Sequence, residues 1–238
     1  MDYQHNLIGD DVGATMDIYM APKKVFTRLK EKAQWVKPFI IVLVVIAIVA
    51  ALALNITRAT LAVQQREALE QRGLSEEQIE QAMNLFNGPL AMIAAAISAA
   101  IFTTIILLLF ALIINLFIPL FGGKSLYKTV FSVVCFSALI KVPAAILKLI
   151  LIAITKSPYV TTSLALLTPN LVKNSFGYQL LAGFDFFIIW EMILVAIGIS
   201  ITNELKQKNA YLLVFIIWIA SVFIGIGLGS VFRPGIGM

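Results

Sequence analysis

The polar and apolar residues of this chain are segregated into long blocks. Residues 38–57, 81–123 and 209–232 contain no Asp, Glu, Lys or Arg. Each block exceeds the roughly 18 apolar residues that indicate a membrane-spanning helix. Two further stretches, 126–155 and 183–202, are apolar apart from a few charged residues. The pattern predicts an all-α, polytopic membrane protein with a bundle of five transmembrane helices.

Breaker and capping residues set the boundaries of the predicted helices. A polar extension of the first helix is expected to end at Gly73, and Ser75 begins a capping-box sequence for a polar helix over 75–86. Pro143 predicts a kink in the third span. The uncharged run 81–123 leaves open one long span or two short passes. The predicted spans are about 38–57, 90–118, 126–155, 183–202 and 210–231.

The segment before the first span has an amphipathic pattern. Residues 1–21 are expected to form a polar tail, residues 22–231 a single membrane domain, and residues 232–238 a C-terminal tail. Within 22–36, Val25, Phe26 and Leu29 share one helical face, which favours an interfacial helix on anionic lipid headgroups. A solvated charged helix is the alternative. The basic face comprises Lys23, Lys24, Arg28, Lys30 and Lys32, and Trp35 is expected at headgroup level.

Composition narrows the function classes. The chain has 238 residues, of which 60% are hydrophobic and only 13% charged, far from the balance of soluble domains. Its single cysteine, Cys135, excludes an internal disulfide and a thiolate metal cluster. Gly123-Lys124-Ser125 resembles the end of a phosphate-binding loop, but Ile118 stands where the first glycine belongs. We therefore expect no catalytic, cofactor or metal site, no nucleic-acid partner, and no role for His5.

The loop charges predict an orientation. With a cytoplasmic N-terminus, the inner side holds ten basic residues, six of them in 22–37, and the outer side holds six. Cytoplasmic loops carry the excess of Lys and Arg in membrane proteins. The bias predicts a cytoplasmic N-terminus and an external C-terminus.

Charges inside the spans are the main candidates for chemistry. Lys141, Lys148, Asp185 and Glu191 lie in the third and fourth spans. A charge at the bilayer centre costs at least ~2.5 kcal/mol, so such groups normally face the bundle interior and pair. Counting depth from the outer ends of antiparallel spans predicts that Lys148 approaches Glu191. The cluster, which Asn115 could join, either fixes helix register or lines a polar cavity or lipid-headgroup groove.

Three segments resemble a known family. Residues 19–30, which read YMAPKKVFTRLK, resemble the entry to bacterial members of the Yip (Ypt/Rab-interacting protein) domain family. The Gly-rich turn at 122–131 is similar to one in that family. The strongest resemblance lies in the fourth span and the charged turn after it, through Asp185, Phe187, Trp190 and Gly198.

The resemblance implies a five-span protein with a cytoplasmic N-terminus in a bacterial cytoplasmic membrane. Eukaryotic members bind Rab-type GTPases in vesicle traffic, and some bacterial members accompany ABC-type transporters. The resemblance therefore implies a non-enzymatic protein that organises or assists another membrane system, such as an ABC-type transporter complex. The alternative is a small transporter or lipid-handling protein with a polar cavity around Lys141, Lys148 and Glu191.

Overall fold

A computed structural model describes residues 15–168, 170–171 and 175–231. Residues 15–20 are helical, and every named element in the described part is a helix. The predictions for residues 1–14, His5 and the tail 232–238 lie outside the described residues. The α-helices are α1 (Pro22–Glu31), α2 (Val36–Gln71), α3 (Glu76–Asn87), α4 (Pro89–Phe117), α5 (Tyr127–Ser137), α6 (Lys141–Thr155), α7 (Phe176–Gly183), α8 (Phe186–Thr202) and α9 (Gln207–Val231). Short 3-10 helices cover Ile118–Phe121, Ala138–Ile140 and Leu164–Leu167.

The turn after the first long helix forms as its residues predict. α2 runs without interruption through its polar extension, and Gly73 follows it with a φ of 73°. The Ser75 hydroxyl accepts a hydrogen bond from the Gln78 N–H, and the Gln78 side chain accepts one from the Ser75 N–H. This reciprocal pair satisfies two backbone donors that a helix start leaves free. The predicted polar extension and capping box are confirmed.

The long uncharged run contains the end of α3 and then one helix of membrane-spanning length, not two short passes. Gly88 ends α3, and α4 begins directly at Pro89, where the missing N–H of proline is tolerated. α4 continues unbroken until the 3-10 turn that contains Pro119. Gly122 then adopts a φ of 84°, a left-handed conformation that glycine adopts without a steric penalty. Both ends of α4 are therefore set by proline and glycine residues that can be recognised in the sequence.

The third predicted span is broken into two helices. α5 ends at Ser137, a 3-10 turn covers Ala138–Ile140, and α6 begins at Lys141. The break lies about one turn before the expected kink at Pro143. A proline disturbs the carbonyl four residues earlier, which here belongs to Leu139. The kink therefore appears at the residues whose hydrogen bonding the proline changes.

The fourth predicted span is shorter than expected. α8 begins at Phe186 and not at residue 183, and at 17 residues it is about 25 Å long, less than a typical hydrocarbon core. Part of α7 lies within residues 156–182, the stretch between the third and fourth predicted spans. Five spans therefore remain a prediction. The helices long and apolar enough to cross a membrane are Val36–Gln71, Pro89–Phe121, Tyr127–Thr155 and Gln207–Gly227.

The amphipathic segment forms a helix whose apolar face is covered by protein. α1 ends at Glu31, earlier than the predicted residue 36. Val25, Phe26 and Leu29 are buried, and α1 packs against α8 and α5. Protein contacts therefore shield the apolar face of α1 from water without a contribution from lipid. The placement of α1 at the membrane surface stays a prediction.

The described residues fall into two compact units. The first contains residues of Met1–Phe39, Leu107–Lys141 and Thr161–Met238, and the second contains Ile40–Ile106 and Val142–Val160. In the second unit, Arg58 donates to the carbonyl of Asn87 at 2.7 Å.

Two turns meet at one end of the first unit. The Lys124 N–H donates to the Asn203 carbonyl at 2.9 Å, and the Asn203 side-chain amide donates to the Lys124 carbonyl at 2.7 Å. Glu204 lies beside them, 2.8 Å from the Lys124 ammonium and 3.6 Å from that of Lys30. The hydrogen bond and charge of Lys124, with a smaller effect of Lys30, lower the pKa of Glu204. We call this region, with its exposed Lys30, Lys124, Lys128, Lys206 and Lys208, the basic end.

The lowered pKa of Glu204 predicts a pH-dependent contribution to stability. Because the folded pKa lies below the ordinary value of ~4.3, the contribution is complete above that value and is lost as pH falls through the folded pKa. Glu204→Gln should therefore lower the thermal unfolding midpoint at pH 7 and have no effect in stronger acid. Glu31→Gln, which removes an exposed carboxylate of α1, is the control. A Glu204→Gln effect that persists unchanged in acid would contradict this assignment.

Candidate functional site

The break between α5 and α6 brings one buried charge pair together. The Lys141 ammonium, on the first residue of α6, forms an ion pair with the Glu191 carboxylate on α8. The Glu191 side chain is 3% exposed and that of Lys141 is 33% exposed. A buried carboxylate is stable only when it is paired and hydrogen-bonded. The pair therefore links α8 to the broken helix.

The predicted approach of Lys148 to Glu191 is wrong, since Lys141 is the partner. Depth was counted from the outer ends of the helices, but the hydrogen bonds between Lys124 and Asn203 align the opposite ends. Counted along the helices from that end, Glu191 lies 11 residues from Thr202 and Lys141 lies 14 residues from Tyr127, about 17 and 21 Å. The long lysine side chain covers the remainder. Lys148 lies two turns further along α6 and is exposed.

A tyrosine hydroxyl satisfies the carbonyl that Pro143 leaves without its helical donor. The Tyr19 hydroxyl donates to the Leu139 carbonyl at 2.7 Å. Burial raises the pKa of Tyr19, which keeps the hydroxyl protonated and able to donate. The Tyr19 ring packs edge-on against Trp190, with 6.4 Å between ring centroids. We call Tyr19, Leu139, Lys141, Trp190 and Glu191 the Lys141 cluster.

The sequence predicted no role for Tyr19. Its signal was indirect: a proline in a membrane helix predicts a carbonyl in need of a donor, and hydroxyl groups supply such donors. Asn203 was also missed, although its amide joins two turns. Sequence alone indicates neither partner, because both bonds connect segments far apart in the chain.

Asp185 and Asn115 lie at helix ends and not in the Lys141 cluster. Asp185 caps α8: its carboxylate accepts from the Phe187 N–H at 2.8 Å and from the Thr162 hydroxyl. Asn115 accepts a hydrogen bond at 2.6 Å from the Ser125 hydroxyl, near the end of α4. Asp is strongly favoured at the position before a helix, where free N–H groups await an acceptor. Of the candidate polar residues, Lys141 and Glu191 therefore form a pair, whereas Asp185 and Asn115 form hydrogen bonds at helix ends.

Gly198 allows α1 to pack closely against α8. A Cβ atom at this position would lie 2.3 Å from a methyl group of Val133 on α5 and 2.9 Å from the ring of Phe26 on α1. Only a glycine therefore lets the three helices approach this closely. The two aromatic residues of the family motif, Phe187 and Trp190, also lie on α8. Both rings contact the ring of Phe186.

The basic residues of α1 are exposed. Lys24 pairs with Asp17 at 3.4 Å, and Lys30 with Glu204. The remaining members of the predicted basic face are also exposed: Lys23, Arg28 and Lys32. The predicted contact of this face with anionic headgroups stays a prediction.

The ion pair and hydrogen bonds of this site can stabilise the register of the helices. Among the described residues, no three or more His, Cys, Asp or Glu side chains lie together as potential ligands. Cys135 is buried in α5. The absence of catalytic, cofactor and metal function stays a prediction.

The close contact at Gly198 predicts a sharp dependence on side-chain size. Gly198→Ala should destabilise the protein by roughly 1–3 kcal/mol, as overpacking does in tight cores. The matched control is Gly225→Ala in α9, where a Cβ atom meets nothing within 4 Å. That change should be neutral or stabilising by up to ~1 kcal/mol. Unfolding of the detergent-solubilised full chain measures both, and equal effects would contradict the packing described.

The unequal burial of Lys141 and Glu191 predicts that their single mutants lose different amounts of stability. Lys141→Met leaves the Glu191 carboxylate buried and unpaired, which should cost about 3–5 kcal/mol. Glu191→Leu should cost less, because the one-third exposed Lys141 can extend its ammonium group outward. The double variant should regain most of the stability of the parent, and Lys148→Met should change little. Unfolding in a denaturing detergent measures all four, and additive losses in the double variant would refute the pairing.

Comparison with known proteins identifies the family of this chain. A family model described as the Yip1 domain matches residues 16–229. No curated protein and no solved structure matches the chain. The matched region contains the Lys141 cluster, Gly198 and the long apolar helices. This chain is therefore an integral membrane protein that belongs to the Yip1 domain family.

Proposed function

We propose that this protein is a non-enzymatic membrane protein that organises or assists another membrane system, such as an ABC-type transporter complex. Its partner is a transmembrane helix of another protein, bound through packing inside the bilayer. The observation that carries this proposal is the exposure of the helices in the second unit. Only 6% of the most apolar stretch of α2 is buried.

The exposed apolar residues of these helices form stripes. On α2 they recur every four residues at Ile40, Val44, Ile48 and Leu52. Residues four apart share one face of a helix. Such a stripe is compatible with lipid and with a partner helix of equal hydrophobicity.

α4 adds small residues that favour a partner helix. Ala94 and Ser98 are exposed and four residues apart, beside the exposed Ile93, Ile97 and Ile101. Lipid supplies no hydrophobic driving force between helices, so association depends on close packing, which small residues at this spacing permit. This face supports a protein partner over lipid alone.

The Lys141 cluster supports a structural role for the internal charges. A small transporter or lipid-handling protein would need Lys141, Lys148 and Glu191 to line an open polar cavity. Lys141 and Glu191 instead bind each other. The ion pair therefore favours the organising role over that alternative.

The proposed location is a bacterial cytoplasmic membrane, with the N-terminus in the cytoplasm and the C-terminus outside. The basic end supports this orientation, since exposed lysines concentrate on the cytoplasmic side of membrane proteins. The family resemblance supports an ABC-type transporter as the partner.

Photo-crosslinking in native membranes tests the proposal. A photoreactive amino acid at Ile97, which is 54% exposed, should yield a discrete adduct with another membrane protein. The matched control is Leu107 on the same helix, which is 1% exposed and should yield none. Replacement of Ala94 and Ser98 by Leu should abolish the Ile97 adduct without loss of the folded chain. Adducts with lipid only would refute the proposal.

A further inference from the structure

The basic end carries positive charge from three parts of the first unit. Its lysines lie at the end of α1, in the turn and first helical turn that lead into α5, and in the turn and first helical turn that lead into α9. Glu204 lies among them and forms ion pairs with Lys30 and Lys124. Five exposed lysines and one glutamate leave four net positive charges on this surface: Lys30, Lys124, Lys128, Lys206 and Lys208 with Glu204.

Hydrogen bonds hold two of these parts in a fixed arrangement. In addition to the two bonds between Lys124 and Asn203, the Asn209 side-chain amide donates to the Phe121 carbonyl at 3.1 Å. Glu204 itself adopts a φ of 57°, a left-handed conformation that surrounding contacts must hold in a residue with a side chain. The backbone positions of the lysines are therefore set by the fold.

Three lysines of the basic end form no ion pair with an acidic residue in the described part of the chain: Lys128, Lys206 and Lys208. All three are exposed. Lys128 and Lys208 also lie in the first turns of α5 and α9, where the helix dipole disfavours a positive side chain. An anion bound at this surface would offset both unfavourable effects.

Glu204 shows which kind of anion these lysines accept. Its one carboxylate lies 2.8 Å from the Lys124 ammonium and 3.6 Å from that of Lys30. A single exposed ion pair contributes little to stability or binding, so a partner must contact several lysines at once. An extended segment with several Asp or Glu side chains meets this requirement, whereas a single carboxylate does not.

An anionic membrane surface is the competing partner, and the structure of this end favours a protein segment. A basic helix that binds a membrane places its apolar face in the lipid. The apolar face of α1 is instead buried against α8 and α5. Lys206, Gln207 and Lys208 are three consecutive exposed polar residues. This part of the surface therefore offers charge without an apolar anchor.

We propose that the basic end binds an acidic segment of another protein through Lys128, Lys206 and Lys208. Glu204 acts as an internal competitor, because its carboxylate occupies two further lysines that the segment would otherwise contact. The surface lies in the first unit, whereas the partner helix proposed above contacts the second unit. Either proposal can therefore fail without the other.

Fluorescence anisotropy with a labelled octaglutamate peptide tests the surface, with the full chain in phosphatidylcholine nanodiscs. The variant Lys206→Gln with Lys208→Gln should weaken peptide binding by about fivefold or more. The matched control, Arg72→Gln with Lys156→Gln, removes equal charge from exposed positions of the second unit and should keep the affinity within about twofold. Equal losses in the two double variants would overturn the site in favour of diffuse electrostatic attraction.

The role of Glu204 predicts a variant that binds the same peptide more tightly. Glu204→Gln frees Lys30 and Lys124 and should strengthen peptide binding by about threefold or more. Glu31→Gln also removes one exposed carboxylate and should change the affinity by less than about twofold. Equal gains in the two variants would show that only net charge matters and would refute the internal competitor.

Photo-crosslinking at Gln207 distinguishes a protein segment from lipid. A photoreactive amino acid at this exposed position should form an adduct with another protein in native membranes, and mass spectrometry should place the crosslink in a segment rich in Asp and Glu. The adduct should be lost when Lys206 and Lys208 are replaced by Gln. Adducts with lipid only, the absence of a protein adduct, or a crosslink to a segment without acidic residues would each contradict the proposal.

Discussion

Pro143 imposes the constraint on which the first unit depends. A proline in a helix removes one backbone donor and clashes with the carbonyl four residues earlier. In hydrocarbon, an unsatisfied carbonyl costs several kcal/mol, so a donor must come from elsewhere. Tyr19 supplies it by donating to Leu139. The helix breaks at the same place, and the break starts α6 at Lys141, opposite Glu191.

These contacts form a closed series around α8. Tyr19 lies just before α1, and Phe26 of α1 packs on Gly198 of α8. Glu191, two turns earlier on α8, returns to Lys141 beside the break. Trp190 and Gly198, two of the residues that resemble the family motif, thus belong to one packing arrangement. Their contacts hold α8 against α1 and α5.

Sequence predicts those features whose causes are local. Ser75 caps α3, and Pro89 and Gly122 bound α4, because turn and cap chemistry depends on a few adjacent residues. The partner of Glu191 is not local. Sequence gives the distance along each helix, but the alignment of antiparallel helices depends on which ends meet, and here Asn203 fixes that end. Asp185 was misplaced for a related reason: a carboxylate near a helix start is a cap or a buried charge depending on where the helix begins.

Charge is distributed differently in the interior and on the surface of this protein. Inside the first unit, Lys141 and Glu191 neutralise each other beside the break in the third span. The exposed apolar stripes of α2 and α4 can contact a lipid or another transmembrane helix without burying a charge. Lysines are exposed at the basic end, where an anion is favoured. The internal ion pair therefore stabilises the arrangement of the helices, and the exposed surfaces decide what the protein can contact.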